Sequence, residues 1–247
     1  MDVVCICNKS GLHGEMAIHA ARSGKHVLSE KPLEVTTQKI DAIIKACEEN
    51  NIILGCVLQN RCTSDYRRVE DVVKNGLLGK LLLGNAHINW YRSAEYYSNN
   101  PWRGTKEFDG GAAFMNQGIH TIDLLLNLMG EVKSVFGNIK TLVHKIECED
   151  VGAGILQFKN GAIGTITAGT SLYPGYPERL EIYGEKGSVL MDGGKITQWN
   201  VENATAPKTV DSLTDTSGAS NPTSIGHLNH KIVIQDMVDA IKENKSP

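Results

Sequence analysis

Along the first sixty residues the apolar positions switch between two periods. Val3-Val4-Cys5-Ile6-Cys7 is a short, largely β-branched run, the pattern of a buried parallel strand. Gly11 to Ser23 then takes helical spacing, with Ser10 placed as N-cap and Gly24 as C-terminal stop. His26-Val27-Leu28-Ser29 predicts a second strand, Thr36 or Thr37 caps a helix running to about Asn50, and Ile52 to Leu58 predicts a third strand. Strands separated by helix-length segments imply right-handed βαβ crossovers and a parallel sheet.

Ser64 to Asn75 reads as one more helix, closed by Gly76, and from Leu81 the alternation becomes that of long strands. After a helix beginning near Gly111, strand-like runs follow at Val132 to Val143, Val151 to Phe158, Ala162 to Thr170, Glu178 to Tyr183, Ser188 to Met191 and Ile196 to Val201. Turn signals such as Lys159-Asn160-Gly161 and Asp192-Gly193-Gly194 separate them, as in an antiparallel meander. Val201 to Thr223, rich in Thr, Ser, Asn and Asp, is expected to be loop, and His230 to Asn244 a final amphipathic helix. The predicted fold class is α/β: a partial Rossmann-type parallel sheet over residues 1–60, an α/β domain with a large open, mainly antiparallel sheet over 61–229, and a C-terminal helix over 230–247. Val151 to Thr170 mixes Ala, Ile, Gly and Thr on both faces, so the open sheet is expected to be covered by another subunit in a homo-oligomer, a dimer or tetramer.

Composition narrows the classes. Hydrophobic residues are 41% and charged residues 21% of the 247, which excludes disordered and coiled-coil readings. With Lys+Arg 25 against Asp+Glu 28 the chain has no basic excess for nucleic acid or an anionic membrane. No apolar stretch approaches the roughly 18 residues of a bilayer span, and Met1-Asp2-Val3-Val4 does not resemble a leader, so the cytoplasm is the expected compartment. The six cysteines form no C-x-x-C pair; reduced, buried thiols are expected, and no metal site.

Four segments carry candidate chemistry. In the apolar helix after Gly111, Asn116, His120, Asp123 and Asn127 recur at spacings of four, three and four, one polar stripe at about 100° per residue. Buried polar groups left unpaired cost about 1–3 kcal/mol each, so the stripe is either a site or a self-satisfied network, with His120 the natural acid/base. Ser29-Glu30-Lys31-Pro32 ends the second parallel strand, where open α/β sheets collect ligands; Lys31 is there either a crevice lysine or a surface lysine before a proline turn, possibly a cis one. Asn8, Ser10 and His13 follow the first strand, and Gln59-Asn60-Arg61 the third, so both present polar groups at the same sheet edge. Trp90-Tyr91-Arg92, Tyr96-Tyr97 and Trp102-Arg103 concentrate aromatics beside arginines, a platform for a sugar or nicotinamide face or a packed loop. No G-x-G-x-x-G stands at any strand-to-helix turn.

Together these segments resemble the Gfo/Idh/MocA family of nicotinamide-dependent oxidoreductases. The resemblance rests on Gly24-Lys25-His26-Val27-Leu28-Ser29-Glu30-Lys31-Pro32, then Gln59-Asn60-Arg61, Trp102-Arg103-Gly104-Thr105, Asp109-Gly110-Gly111 and Met115 to Asp123, in the family's order. It implies NAD or NADP as cofactor, with Asn8, Ser10, His13, Glu30, Lys31, Gln59, Asn60, Trp102 and Arg103 on the cofactor side. It implies Lys31 and His120 as catalytic residues with Asn116 orienting, and Lys31, Tyr91, Arg92, Asn116 and His120 toward a sugar- or polyol-like alcohol that exchanges a hydride with nicotinamide. Many members place an aspartate four residues before the histidine; here that position is Asn116. The family's T-P-[NS]-x-x-H loop survives only as Asn8-Lys9-Ser10-Gly11-Leu12-His13. By the same pattern a strand, the glycine loop and a helix would precede the segment that opens here, and the chain would continue past Pro247. The rival expectation is therefore a cofactor-free, non-catalytic fragment that serves only as an oligomeric binding or structural module.

Overall fold

The computed structural model describes residues 1–206 and 228–247. The chain begins with β1 (Val3–Ile6), α1 (His13–Arg22), β2 (His26–Ser29), α2 (Thr37–Glu49) and β3 (Leu54–Cys56). The three strands are parallel in the order β1-β2-β3, as the alternating periods predict. Thr36 caps α2 by accepting a hydrogen bond from the Lys39 amide, and Gly24, with φ +70, stops α1. Ala17, Ala20 and Ala21 of α1 pack on Val27 and on Ile43 and Ala46 of α2; their small side chains bring the two helices close over the sheet.

Three local expectations change. Ser10 does not cap α1: it is buried at the start of a 3-10 turn (Ser10–Leu12) and no side chain caps the helix. β3 spans only Leu54–Cys56, because it pairs with β2 alone and the chain turns where the Leu58 amide bonds the Cys56 carbonyl. Cys5 and Cys7 are exposed rather than buried, since β1 is an edge strand and Cys7 lies beyond its end; all six cysteines are free thiols.

A second unit follows with α3 (Ser64–Lys74), β4 (Leu81–Asn89), α4 (Ala94–Ser98), α5 (Ile119–Met129), β5 (Val132–Lys140), β6 (Val151–Phe158), β7 (Ile163–Gly169), β8 (Arg179–Gly184), β9 (Gly187–Asp192) and β10 (Lys195–Val201); α6 (Leu228–Glu243) ends the chain. Seven strands form one mixed sheet in the order β10-β9-β8-β4-β7-β6-β5, antiparallel except for β4 with β7. One face is covered by α3 and α5: Ala86, Ile88, Ile166, Ala168 and Ile182 pack against Leu124, Leu125, Leu128 and Met129. Gly84 and Gly164 are register partners; a Cβ at Gly84 would stand 2.7 Å from Met129 Cγ and 2.9 Å from Leu125 Cδ1 of α5, and one at Gly164 2.5 Å from the Gly84 carbonyl oxygen, so the helix seats on glycine and the strands approach closely there. The other face is open, with Asn85, His87, Thr165 and Thr167 half-buried and Phe136, Ile155 and Ile163 exposed.

β5 stops at Lys140 rather than Val143 because the buried Asp150 carboxylate accepts from the amides of Leu142, Val143 and His144, each at 2.8 Å, and draws them out of the ladder. The short helix α4 lies where only loop was expected; its sequence AEYYS carries no apolar periodicity to betray it. The Val201 to Thr223 loop falls mostly on residues 207–227, outside the described residues. No helix among the described residues is long and apolar enough to cross a membrane.

Candidate active site

The carboxyl ends of β1, β2 and β3 face the segment from Trp102 to His120, and the two units meet there through backbone. The Gly11 amide donates to the Phe108 carbonyl at 3.0 Å. At the end of β2 the Lys31-Pro32 peptide is cis. His13 is buried, with Nδ1 2.8 Å from the Pro32 carbonyl and Nε2 3.1 Å from that of Asn8, so it ties the β1 loop to the proline turn. Its single N–H donates to one of these two carbonyls, which places His13 between the β1 loop and the proline turn.

Lys31 and the helix stripe are brought together: Lys31 Nζ donates to the Asn116 carbonyl at 2.6 Å. The stripe itself is broken. Ala112–Gln117 is a π-helical turn, closed by Asn116 amide to Gly111 carbonyl at 3.0 Å and Gly118 amide to Ala113 carbonyl at 2.8 Å, before regular α-helix resumes at Ile119. The wider turn shifts the angular register at Asn116, which a uniform 100° step cannot anticipate. Asp123 makes a two-pronged bond to Arg61 at 2.7 and 2.6 Å, and Asn127 donates to the Tyr66 hydroxyl and the Glu70 carboxylate. These two belong to a self-satisfied network against α3 and the turn before it. His120 remains at the crevice, where Asn116 presents its main-chain carbonyl to Lys31.

The Gln59 amide nitrogen lies 3.4 Å from His120 Nε2, so in this arrangement Nε2 accepts and the ring proton sits on Nδ1, which is buried without a partner. Gln59 Oε1 is likewise unpartnered, as is Arg103 Nε. Such orphaned buried polar atoms fit a ligand that would complete them. Asn8 and Asn60 engage through their carbonyls, to His13 and to the Thr63 hydroxyl. Glu30 accepts from the Lys31 amide and stands 3.8 Å from His230 of α6. Arg92 donates to Gln117 and to the Tyr91 carbonyl; Arg103 lies over the Tyr96 ring at 4.2 Å and the Trp102 ring at 5.1 Å.

One residue of this cluster, Asp109, stands in the sequence only as part of a motif, with no role assigned to it. Asp109 is 2% exposed, accepts from the Gly104 amide at 2.7 Å and from the Asn116 side-chain amide. The signal was an acidic residue set directly before Gly110-Gly111 and an apolar helix.

Burial sets the protonation states. It pushes the Lys31 ammonium below the ordinary lysine value, with Glu30 and Asp109 opposing. It drives His120 down to about 3, with Lys31 and His230 adding in the same direction, so the imidazole is neutral throughout the physiological range. Asp109 is raised by burial against the Gly104 and Asn116 hydrogen bonds and the charges of Arg103 and Lys31. The lowered lysine gives up its proton at a lower pH than an ordinary lysine, whereas this imidazole is a poor base. Among the described residues no cluster of His, Cys, Asp or Glu is arranged to hold a metal ion.

The sequence pattern of an oxidoreductase family with an NAD-binding Rossmann fold (GFO_IDH_MocA) matches residues 1–57, and that of the GFO/IDH/MocA C-terminal domain matches residues 66–190. The chain is 28% identical over 204 residues to myo-inositol 2-dehydrogenase of Thermotoga maritima, covering 80% of this chain and 58% of that protein. Levoglucosan dehydrogenase of Pseudarthrobacter phenanthrenivorans is 27% identical over 222 residues, covering 78% and 55%. Among solved structures, the WlbA dehydrogenase from Bordetella pertussis, in complex with NADH and UDP-GlcNAcA, superposes with a TM-score of 0.80 at 36% identity, covering 83% of this chain and 63% of that one. The chain thus spans little more than half the length of the two curated relatives.

Proposed function

The chain belongs to the Gfo/Idh/MocA family of oxidoreductases, and from that premise we propose that the protein moves a hydride between NAD(P) and a secondary alcohol or ketone of a sugar, polyol or related small molecule. The observation that carries this reading is the Lys31 ammonium held 2.6 Å from the Asn116 carbonyl beside the unpartnered His120 and Gln59 atoms. When bound, the cofactor supplies the hydride acceptor or donor. In alcohol oxidation Lys31, in its neutral form, takes the hydroxyl proton at Nζ; in the reverse direction the ammonium returns it. Neutral His120 hydrogen-bonds the reacting oxygen, and Asn116 holds Lys31 in place. Trp102 and Arg103 would hold the cofactor, and Tyr91 and Arg92 would lie toward the substrate. The NADH in the complex of the WlbA dehydrogenase from Bordetella pertussis supports the cofactor assignment.

Calorimetric titration of the 247-residue chain with NADH and NADPH tests the reading directly. Micromolar binding of either is the expected result. Silence with both would favour the cofactor-free module, because the glycine loop and helix N-terminus that ordinarily bind the pyrophosphate are not found in this sequence.

The reading includes a cytoplasmic homo-oligomer joined through the open sheet. Phe136, Ile155 and Ile163 are 79%, 54% and 52% exposed on that face, next to half-buried polar groups, as a covered surface would have them. Phe136→Lys is expected to dissociate the assembly, read as a fall in mass by light scattering; an unchanged mass would place the interface elsewhere.

A further inference from the structure

We propose that Asp109 is a positioning residue for Lys31: it fixes the Asn116 side chain, and with it the carbonyl that receives the ammonium, and supplies the negative charge that position 116 lacks. The chain of contacts is continuous. Asp109 accepts from the Gly104 amide through Oδ2 and from the Asn116 side chain through Oδ1. Asn116 Oδ1 accepts from the Gln117 amide at 2.6 Å, and Gln117 Oε1 accepts from Arg92 Nε at 2.9 Å. Both ends of the Asn116 amide are therefore spoken for, and the residue cannot turn without breaking two buried bonds. Its main-chain oxygen is the acceptor of the Lys31 ammonium.

The π turn contributes to the same end, since it sets Asn116 facing the 104–109 turn instead of lying on the stripe with His120. The charges facing Lys31 are those of Glu30, Asp109 and Arg103, with the Cys56 thiol, pushed up to about 12 by burial, and His120 beside them. Those facing Asp109 are Arg103 and Lys31, with Tyr97 and Cys148 nearby. Of the two carboxylates near Lys31, Glu30 is half-exposed and also faces His230, whereas Asp109 is enclosed and linked to Lys31 through one residue. Glu30 exerts the larger charge effect on Lys31, and Asp109 adds to it from an enclosed position that also holds Asn116.

This deepens the reading of Lys31 given above, but its test requires neither cofactor nor turnover, so failure of hydride transfer and failure of this coupling are separate results. The pH dependence of trace acetic anhydride labelling at Lys31, read by mass spectrometry on the 247-residue chain, reports when the amine becomes neutral. Asp109→Asn keeps the size of the side chain and removes the charge; the Lys31 midpoint is expected to fall by about one pH unit. The exchange Asp109→Asn with Asn116→Asp restores a carboxylate within the same pair and is expected to bring the midpoint back. A role confined to capping the Gly104 amide would leave the midpoint unmoved in a folded Asp109→Asn chain, and that outcome, or failure of the exchange to restore it, overturns the proposal. Should Asp109→Asn not fold, the reciprocal measurement decides: in Lys31→Met the Asn116 side-chain amide resonance, which follows Asp109, must titrate at higher pH than in the parent, and an unchanged titration overturns the coupling.

Discussion

Replacing Lys31 by Ala or by Arg in a form of the protein that binds NADH lowers turnover by about 10²–10⁴-fold, the range that a positioned proton-transfer group contributes. The two variants together separate proton exchange from mere charge. Arginine keeps the cation and much of the reach but cannot release its proton, so an electrostatic role would survive Lys31→Arg and a proton-transfer role would not. The pH profile gives the sign. Burial depresses the Lys31 pKa, so the neutral amine becomes populated at a pH below that of an ordinary lysine. Alcohol oxidation therefore rises with pH through that depressed value and then levels, and ketone reduction, which draws on the ammonium, falls over the same interval. His120→Ala also loses activity, but it leaves this limb in place, because an imidazole displaced to about 3 does not titrate there. Near-normal turnover in both Lys31→Ala and His120→Ala would sink the assignment; a pH limb that disappears with His120 and persists without Lys31 would exchange their roles.

Much of this arrangement was legible in the sequence because it follows from periods and strand ends. The three parallel strands, the antiparallel runs β5-β6-β7 and β8-β9-β10 and the caps at Thr36 and Gly24 are local patterns, and Lys31 at a carboxyl strand end follows from topology alone, whereas the insertion of β4 between β7 and β8, which breaks the expected meander, does not. The failures are of another kind. The stripe Asn116-His120-Asp123-Asn127 was read at a constant helical step, and the π turn at Ala112–Gln117 removed Asn116 from it. Asp123 and Asn127 were satisfied by Arg61 and Tyr66, partners about sixty positions away that no local pattern reveals. Asp109 was hidden for the same reason, since its importance lies in what folds against it: the Gly104 amide, Asn116 and, beyond that, Lys31. His13 fits its place in the motif, and only the fold shows that its ring lies between the Pro32 and Asn8 carbonyls. Residue type and spacing located the crevice; long-range hydrogen bonds decided which of its side chains remain available for chemistry.

The contact that aligns the two units predicts a second large effect, in Gly11→Ala. A Cβ at Gly11 would stand 2.0 Å from the Glu107 carbonyl oxygen and 3.0 Å from the Phe108 Cα, both backbone atoms that no rotamer change can move aside. The Gly11 amide also donates to the Phe108 carbonyl at 3.0 Å, so the methyl group must push apart two segments that are hydrogen-bonded. Overpacking of this kind costs about 3 kcal/mol at the upper end of the usual range. At 2–4 °C for each kcal/mol in a chain of this size, the unfolding midpoint should fall by about 6–12 °C. Gly24→Ala provides the comparison: Gly24 has φ +70 and open space around its Cβ, so only backbone strain of about 1 kcal/mol is incurred there. If Gly11→Ala unfolds no lower than Gly24→Ala in the same thermal scan, the close approach is not what joins the units. Where it does unfold lower, the surviving folded fraction should also show weakened Lys31 chemistry, because the displaced 105–109 turn carries Asp109, and with it the side chain that holds Asn116 against the ammonium.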